Sequence, residues 1–391
     1  MTDFTAIISG AGPAGLTAAI LLKLDGVSTA IIAPESPSDP RTVALMQPSL
    51  QLLKFIGVWN DELKARCAPL KHLQIIDDTG NYVTAPTLTF SASEIDLDAF
   101  GWNVPLAHLV PLLRRRAEDL GIPIFATASE KTEQLDEGIA ITTTDGRRFV
   151  AKVAIAADGA ESALRKSVGI GLESWSFEQS ALVTSFAHTG SHNFMSTEYH
   201  KSAGAFTTVP LPDNHSSLVW MDRPARVESL YRSSDSDLAT EIQLETKGNL
   251  GRIFEMGPRK IFPMRGKRAT ILAKHRTILI AEAAHVFPPI GAQGLNMSLR
   301  DAAQAADLII GCEDPGADSV MKNYNALRST DVVPRQHMIQ FVNNSLLASF
   351  PALPLARVAG LSAIASFPPL RQLVMQQGLA PTANLPFAMR G

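Results

Sequence analysis

The chain has 391 residues, of which 46% are hydrophobic, and it carries 35 basic and 38 acidic side chains. This near-neutral balance excludes the basic surface by which many proteins bind nucleic acid. The length exceeds that of a usual single domain and the apolar content can fill a sizeable core, which together predict a two-lobed protein.

The first predicted element is a strand, turn and helix with a glycine-rich turn. An apolar strand at residues 6–8 precedes the turn and an apolar helical stretch follows it. In this dinucleotide-binding pattern one glycine permits a tight turn, one lets the backbone approach a pyrophosphate, and one lets the helix pack on the strand. The turn is Gly10-Ala11-Gly12-Pro13-Ala14-Gly15.

The next strand ends without the acidic residue that usually binds an adenosine ribose. Ala33 occupies that place, and Glu35 follows two residues later in the loop. Two interpretations stay open: either Glu35 reaches back to the ribose from the loop, or the ribose is held less tightly.

The middle of the chain changes between strand and helix patterns. Residues 70–90 predict a β-hairpin, and residues 106–120 predict a helix despite Pro111. From about residue 173 to residue 274, alternating strands accompany a polar helical stretch near residues 227–246. This second pattern is typical of an antiparallel sheet, and we expect that sheet to cover a substrate.

Two further strand ends carry distinctive polar residues. One strand ends in Asp158-Gly159, which by itself predicts only a turn. Another, at residues 277–280, leads to Glu282, a loop rich in proline and glycine, and a helical pattern from Leu295. A helix start offers unpaired N–H groups and the positive end of a dipole, which suit a phosphate or an electron-rich ring edge.

The C-terminal region is apolar and nearly uncharged. Arg357 is the only Asp, Glu, Lys or Arg between Arg335 and Arg371. Prolines interrupt the apolar stretch before it reaches the roughly 20 residues that a spanning helix needs. One interpretation is helices packed against the core or a second subunit. The other is a surface that docks on a membrane or a partner, where a long prenyl tail could enter.

The remaining sequence signals bear on metals and location. Cys67 and Cys312 lack the spacing of a metal site or a redox pair, and we expect buried thiols in a reducing compartment. We expect no metal site. The N-terminus predicts neither a secretion signal nor a membrane anchor. We expect a cytoplasmic protein, and peripheral contact with the inner membrane surface stays open.

The three strand-end motifs together resemble the FAD fingerprints of the class A flavoprotein aromatic hydroxylases, in the same order and at similar spacing. The resemblance spans nearly the whole chain. Four segments are also similar to the branch of this family that hydroxylates ubiquinone precursors. They are residues 39–45, residues 52–59, Gly294-Leu295-Asn296 and residues 299–301.

The resemblance implies an α/β fold with a discontinuous FAD lobe. This lobe would be Rossmann-like, of the second glutathione reductase type and similar to p-hydroxybenzoate hydroxylase. It would be joined by a substrate domain with a mixed or antiparallel sheet and by C-terminal helices. The FAD lobe is expected from residues 1–68, 91–172 and 275–330, the substrate domain from residues 69–90 and 173–274, and the helical region from residues 331–391.

The resemblance also implies the chemistry. Reduced FAD would react with O2, and the resulting C4a-hydroperoxyflavin would hydroxylate an aromatic ring, so no side chain need be a nucleophile. No second GxGxxG motif occurs, and NAD(P)H or another reductant would therefore bind transiently. The expected substrate is a prenylated phenol. The alternatives are a small soluble aromatic substrate, or a flavin-poor scaffold subunit of a quinone-synthesising complex. A homo-oligomer stays open.

Specific roles follow from the same resemblance. His285 and Pro288 are expected beside the flavin and substrate, with His285 favoured as a positioning residue over an acid or base. Asp158 would approach the ribityl or pyrophosphate region of FAD, while Arg41 would neutralise the pyrophosphate or assist a moving flavin. The full set expected to contact FAD is Gly10, Ala11, Gly12, Pro13, Ala14, Gly15, Glu35, Arg41, Asp158, Gly159, Glu282, Pro288, Gly291, Gly294, Leu295 and Asn296.

One departure from the family pattern concerns this set. The usual Gly-Asp at the third strand end is here Ala281-Glu282. The carboxylate expected to accept hydrogen bonds from the ribityl chain therefore sits on a side chain that is one methylene longer. This departure predicts a change in FAD affinity rather than in the identity of the cofactor.

Overall fold

Three β-sheets organise the part of the chain that the structure describes, and helices pack around them. The computed structural model describes residues 3–288, 293–347, 352–378 and 384–390. Within these residues the strands are β1 (Phe4–Ser9), β2 (Thr29–Ile32), β3 (Thr42–Met46), β4 (Ala68–Leu70), β5 (His72–Asp77), β6 (Leu88–Ser91), β7 (Gly101–Pro105), β8 (Ile124–Phe125), β9 (Ser129–Leu135), β10 (Gly138–Thr143), β11 (Arg148–Ala156), β12 (Leu172–His188), β13 (Met195–Lys201), β14 (Gly204–Leu211), β15 (His215–Asp222), β16 (Ile253–Phe254), β17 (Lys260–Ala269), β18 (Ala273–Lys274), β19 (Thr277–Leu279) and β20 (His285–Val286).

The helices lie between these strands and fill the C-terminal region. In the described residues they are α1 (Pro13–Leu24), α2 (Gln47–Phe55), α3 (Asp61–Lys64), α4 (Leu106–Asp119), α5 (Ala163–Ser167), α6 (Pro224–Arg232), α7 (Asp235–Glu245), α8 (Gln293–Ile309), α9 (Asp318–Leu347), α10 (Ala352–Ser366) and α11 (Pro368–Gly378). Short 3-10 turns occur at Ala92–Ile95, Ala281–Ala283 and Phe387–Met389.

The first sheet has a parallel centre that is built from distant parts of the chain. Its strand order is β18-β19-β11-β1-β2-β8, in which β19, β11, β1, β2 and β8 pair in parallel and β18 pairs antiparallel with β19. The strands β1, β11 and β19 are apolar runs that α1 and α8 help to cover, as expected of parallel strands buried on both faces. Their carboxyl ends therefore meet along one edge.

The second sheet is largely antiparallel and has two different faces. Its order is β20-β17-β12-β15-β14-β13-β5-β6, with one parallel pair between β13 and β5. Large side chains such as Phe186 and Trp220 cover one face, together with α6 and α7. The opposite face carries the small side chains of Ala181 and Ala205, and it packs against Ile339 of α9. The third sheet, β3-β7-β4, is short.

Several local predictions can be compared directly with these elements. The hairpin expected within residues 70–90 appears as the antiparallel pair β5 and β6, and the predicted helix that contains Pro111 appears as α4. The polar helix expected near residues 227–246 is instead two helices. Ser233 leaves the helical conformation with ψ of 159°, and the Ser234 side chain caps α7, because serine competes for backbone hydrogen bonds at such ends.

Two ion pairs attach the C-terminal helices to the second sheet and its neighbouring turn. Arg357 of α10 donates from Nη2 to both carboxylate oxygens of Asp77, at 3.2 and 3.1 Å. Arg371 of α11 donates from Nε to Glu94 Oε2 at 2.6 Å. Apolar side chains that remain exposed on α9, α10 and α11 include Met338, Phe341, Leu355 and Leu373, and Phe367 between α10 and α11 is exposed as well. None of the described helices combines the length and apolar character needed to cross a membrane.

The difference in burial between the two ion pairs predicts different effects on stability. The Asp77 side chain is 0% exposed, whereas that of Glu94 is 34% exposed. Replacing Arg357 by Met should lower the free energy of unfolding by about 3 kcal/mol, because a buried carboxylate loses its cation. Replacing Arg371 by Met should lower it by at most about 1 kcal/mol. Urea unfolding followed by circular dichroism measures both, and equal losses would contradict the assignment.

Candidate active site

The three sequence motifs converge at one edge of the first sheet. Gly10 follows β1, Asp158 lies two residues after β11, and Glu282 lies in the turn after β19. These three strands are parallel neighbours in the order β19-β11-β1, so the motif residues lie at adjacent carboxyl ends. In open α/β sheets this edge is where ligands bind.

The glycines of the first motif have separate physical roles. Gly10 has φ of +112°, and a Cβ on it would lie 2.2 Å from the carbonyl oxygen of Ala157. A Cβ on Gly15 would lie 2.1 Å from the carbonyl oxygen of Gly10. A Cβ on Gly12 would meet nothing within 4 Å among the described residues. Two glycines thus allow close packing, and the middle one leaves space at the start of α1.

This space fits a pyrophosphate. Gly12 is the N-cap of α1, and no side chain in the described part of the chain caps that helix start. The unpaired N–H groups and the helix dipole together favour an anion there. Pro13 occupies the first turn, where a missing N–H costs nothing. Ala11 is half-buried and Ala14 is buried, so both support the turn by packing.

Asp158 presents an unsatisfied acceptor at the same edge. Its Oδ2 accepts hydrogen bonds from the backbone N–H groups of Ala163 at 2.8 Å and Leu164 at 3.2 Å. Its Oδ1 is buried and has no hydrogen-bond partner within the described residues. A ligand that carries a hydroxyl group could satisfy this atom. Gly159 has φ of +82°, which lets the chain turn directly after the carboxylate.

The third motif forms a strained turn. Ala281 has φ of +55°, a backbone conformation that favours glycine, and its N–H donates to Asp301 Oδ2 at 3.0 Å. The neighbouring Glu282 side chain is half-exposed and lies 3.9 Å from Nη1 of Arg41. Arg165, which is buried, donates from Nη1 to the carbonyl oxygen of Ala283 at 3.1 Å. The Asp158 turn and the Glu282 turn are therefore tied together.

Arg41 reaches this turn from the loop after β2. Its Nε donates to Asp39 Oδ2 at 2.8 Å, and its guanidinium carbon lies 5.4 Å from the ring centroid of Phe262 on β17. Arg41 thus links the first sheet to the second beside the Glu282 carboxylate. Glu35, in the same loop, is exposed, and its predicted role in binding the ribose stays a prediction.

A buried ionic network lies behind the third motif. His285 Nε2 is 2.7 Å from Asp301 Oδ2, and Arg328 Nε donates to Asp301 Oδ1 at 2.7 Å. Burial alone would raise the pKa of Asp301, but His285 and Arg328 lower it below its ordinary value. The His285 ring also stacks on Phe287. This geometry suits a positioning role for His285.

The network continues to the start of α8. Arg328 and Arg335 both donate to the Asp331 carboxylate at 2.8 Å. Arg335 also donates from Nη1 to Gln293 Oε1 at 3.0 Å. Burial raises the pKa of Asp331, but the charges of Arg328 and Arg300 outweigh burial and lower it to about 2. The network therefore holds His285 and Gln293, which flank the loop expected to carry the flavin ring.

The side chain of Asn296 joins separate elements. Its Oδ1 accepts hydrogen bonds from the Met46 N–H at 2.9 Å and from Ser49 Oγ at 2.7 Å, and its Nδ2 donates to the Ala44 carbonyl at 2.8 Å. Asn296 thereby fixes α8 against β3 and α2, a role that the sequence reasoning missed. Its contact with FAD stays a prediction.

The other predicted residues of this segment have different environments. Pro288 is buried, Gly294 is exposed, and Leu295 is half-buried. Gly291 lies outside the described residues. A charged stripe on α9, formed by Arg328, Asp331 and Arg335 at helical spacing, was the one signal that could have revealed the buried network.

The sequence matches the family described as "FAD binding domain" over residues 3–336. The chain belongs to the FAD-binding flavoprotein monooxygenases. This monooxygenase is 30% identical to ubiquinone hydroxylase UbiL of Rhodospirillum rubrum, over 95% of this chain and 89% of that protein. It is 28% identical to 3-demethoxyubiquinol 3-hydroxylase of Escherichia coli, over 91% of this chain and 93% of that protein.

Solved structures share the fold of this monooxygenase at low sequence identity. For p-nitrophenol 4-monooxygenase PnpA of Pseudomonas putida the TM-score is 0.78 at 19% identity, covering 97% of this chain and 98% of that one. For Klebsiella pneumoniae HpxO in complex with FAD and uric acid the TM-score is 0.75 at 16% identity, covering 97% of both chains. The expected α/β fold with an antiparallel sheet domain and C-terminal helices is confirmed.

These comparisons confirm FAD as the cofactor of this monooxygenase, while the individual FAD contacts and the residue ranges of the domains stay predictions.

Among the residues that the structure describes, no group of three or more His, Cys, Asp or Glu side chains is placed to hold a metal ion. Cys67 is buried, and burial raises the pKa of its thiol to about 12. Cys312 is half-buried.

The open space at Gly12 predicts a selective defect in FAD binding. Replacing Gly12 by Glu should leave the stability of the FAD-free protein unchanged, because a carboxylate at a helix start is favourable. It should weaken FAD binding at least about a hundredfold, because the side chain fills the phosphate position with negative charge. Gly360→Glu, also in open space, is the matched control. Fluorescence titration with FAD measures the effect, and equal affinity in both variants would refute the assignment.

The positive φ of Ala281 predicts a stabilising substitution. Replacing Ala281 by Gly should raise the free energy of unfolding by about 0.5–1 kcal/mol, because glycine adopts this conformation without strain. Replacing Ala283 by Gly should instead lower it, because Ala283 is fully buried and would lose its methyl contacts. Thermal unfolding of both variants provides the measurement, and a loss of stability in Ala281→Gly would show that the turn is unstrained.

Proposed function

We propose that this FAD-dependent monooxygenase hydroxylates the aromatic ring of a prenylated phenol on the route to ubiquinone. The observation that carries the proposal is the apolar face of the second sheet that packs against α9. Ala181, Ala205, Met221 and Met264 on this face form an apolar cluster that Phe287 joins, one residue before the Pro288 expected beside the flavin. An apolar wall at this position suits an aromatic ring. The names of the two relatives support the ubiquinone branch.

The roles of the chain in this reaction are binding and positioning. Bound FAD supplies the oxygen activation that side chains lack. The turn at Gly12 and the start of α1 would hold its pyrophosphate, with Arg41 able to neutralise further charge. Asp158 Oδ1 would accept a hydrogen bond from a hydroxyl group of the cofactor. The start of α8, with its dipole, would stabilise negative charge that develops on the ring.

The C-terminal helices support a lipophilic substrate. Leu361, Ile364 and Met375 of α10 and α11 pack with Phe90 and Phe100 in an apolar cluster at the edge of the second sheet. Further apolar side chains of these helices are exposed to solvent. We infer that this region docks on a membrane surface, from which a prenylated substrate would enter. The electron donor in this proposal is NAD(P)H, which would bind transiently.

Complementation tests the proposal in cells. An Escherichia coli strain that lacks 3-demethoxyubiquinol 3-hydroxylase, or another ubiquinone hydroxylase, should regain ubiquinone when it expresses this chain. It should accumulate the unhydroxylated intermediate when it expresses Gly12→Glu, because FAD binding is lost. Mass spectrometry of the quinones measures both outcomes. Full rescue by Gly12→Glu would favour a scaffold over a catalyst.

A second arm tests the substrate class. Purified protein loaded with FAD should hydroxylate 2-geranylphenol with NADH or NADPH and O2, and it should do so with a lower KM than for phenol, because the prenyl chain adds buried apolar contact. Product mass and oxygen consumption are the readouts. Equal KM values for the two compounds would contradict a prenylated substrate and favour a small soluble one.

A further inference from the structure

Three buried amide side chains lie where the apolar face of the second sheet packs against α9. Gln179 belongs to β12, while Gln336 and Asn343 belong to α9. Their exposed fractions are 2%, 4% and 0%, respectively. A buried amide costs free energy unless its polar atoms find partners. We call the contact between this sheet face and α9 the seam. The partners of the three side chains therefore indicate which ligand groups the seam can bind.

A chain of hydrogen bonds fixes how two of these amides are oriented. Gln179 Nε2 donates to the Ala203 carbonyl at 2.7 Å. Its Oε1 accepts from Asn343 Nδ2 at 3.1 Å. Rotating either amide by 180° would bring two acceptors or two donors together, so the Ala203 carbonyl sets the whole arrangement. The remaining polar atom, Asn343 Oδ1, must consequently be an acceptor.

This acceptor and a second one are unsatisfied. Asn343 Oδ1 and Gln336 Oε1 are both buried with no hydrogen-bond partner in the described part of the chain. Seven residues separate them on α9, which is about two helical turns and places them on one face. Between them Ile339 packs in the apolar cluster that contains Ala181 and Phe287. Both acceptors therefore lie on the helix face that meets this cluster.

The seam also adjoins the expected flavin position. Phe287 precedes Pro288, and Arg335, next to Gln336 in the chain, holds Gln293 at the start of α8. A ligand that fills this seam would contact the apolar cluster with its ring and the amide oxygens with its polar groups. Because Asn343 Oδ1 can only accept, the ligand group that meets it must carry a hydrogen, and the terminal amide of Gln336 can rotate to accept a second hydrogen bond.

We propose that Gln336 and Asn343 form a substrate subsite that accepts hydrogen bonds from the hydroxyl groups of a phenolic ring. The inference rests on the proposed function and specifies how its substrate is recognised. The subsite selects phenols and hydroquinones. It rejects aryl ethers, which lack the hydrogen, and carboxylates, whose oxygens would face Asn343 Oδ1 without a donor.

A pair of ligands and a pair of variants test the subsite. Isothermal titration calorimetry would compare 2-geranylphenol with its methyl ether on the FAD-loaded protein. The unmodified protein should bind the phenol about tenfold more tightly than the ether, as expected for one buried hydrogen bond. Asn343→Leu should abolish this preference by weakening binding of the phenol alone. Asn344→Leu, the same change at the exposed neighbouring residue, should keep it.

A second pair of variants tests the subsite even if Asn343→Leu does not fold. For 2-geranylhydroquinone, whose second hydroxyl group can reach the second amide, Gln336→Met should reduce severalfold the preference over its monomethyl ether. Gln340→Met, on a more exposed position of the same helix, should leave this preference unchanged. The proposal is overturned if the unmodified protein binds both ligands equally. It is also overturned if the folded variants at residues 336 and 343 retain the preference.

Turnover measured in parallel separates this inference from the proposed function, because calorimetry requires no reaction. In one outcome the unmodified protein prefers the phenol, the variants lose this preference, and no hydroxylation occurs. This result would support the subsite and refute hydroxylation of this phenol. Hydroxylation with the preference unchanged in the variants would keep the proposed function and refute the subsite.

Discussion

The structure around the expected flavin depends on the buried carboxylate of Asp301. Its two oxygens are shared by His285, Arg328 and the N–H of Ala281, so one side chain fixes a strained turn, a short strand and α9 relative to α8. A buried ion pair adds little net stability, because desolvation offsets the attraction between the charges. Its role here is geometric, because each partner can bond to Asp301 in only one position. This requirement fixes the positions of the elements that carry the partners.

The parts of the site that sequence predicted are those encoded locally. The glycine turn is recognisable because strand, turn and helix are contiguous, and Gly10 and Gly15 meet requirements set within a few residues or by one adjacent strand. The same holds for the Asp158 turn. The joining of α8 to β3 by Asn296 was not predictable, because its partners lie about 250 residues away and nothing in their spacing signals contact.

The substrate side was predicted only as a pattern of alternating strands. Alternation identified the second sheet, since successive side chains of a strand point to opposite faces, but it could not show that Ala181 and Ala205 would face α9. Nor could it show that polar residues of α9 would be buried against an apolar face. The nearly uncharged C-terminal sequence did not indicate this burial, because glutamine and asparagine are neither charged nor apolar.

The helix α9 contacts both halves of the site. Arg328 and Asp331 belong to the network behind the cofactor edge, while Gln336, Ile339 and Asn343 face the substrate sheet, and the helix is continuous between them. Each residue of an α-helix turns about 100° from the one before it. Inserting or deleting a single residue near Pro334 would therefore rotate one set of side chains out of register with the other. The number of residues in this stretch, as well as their identity, is thus under constraint.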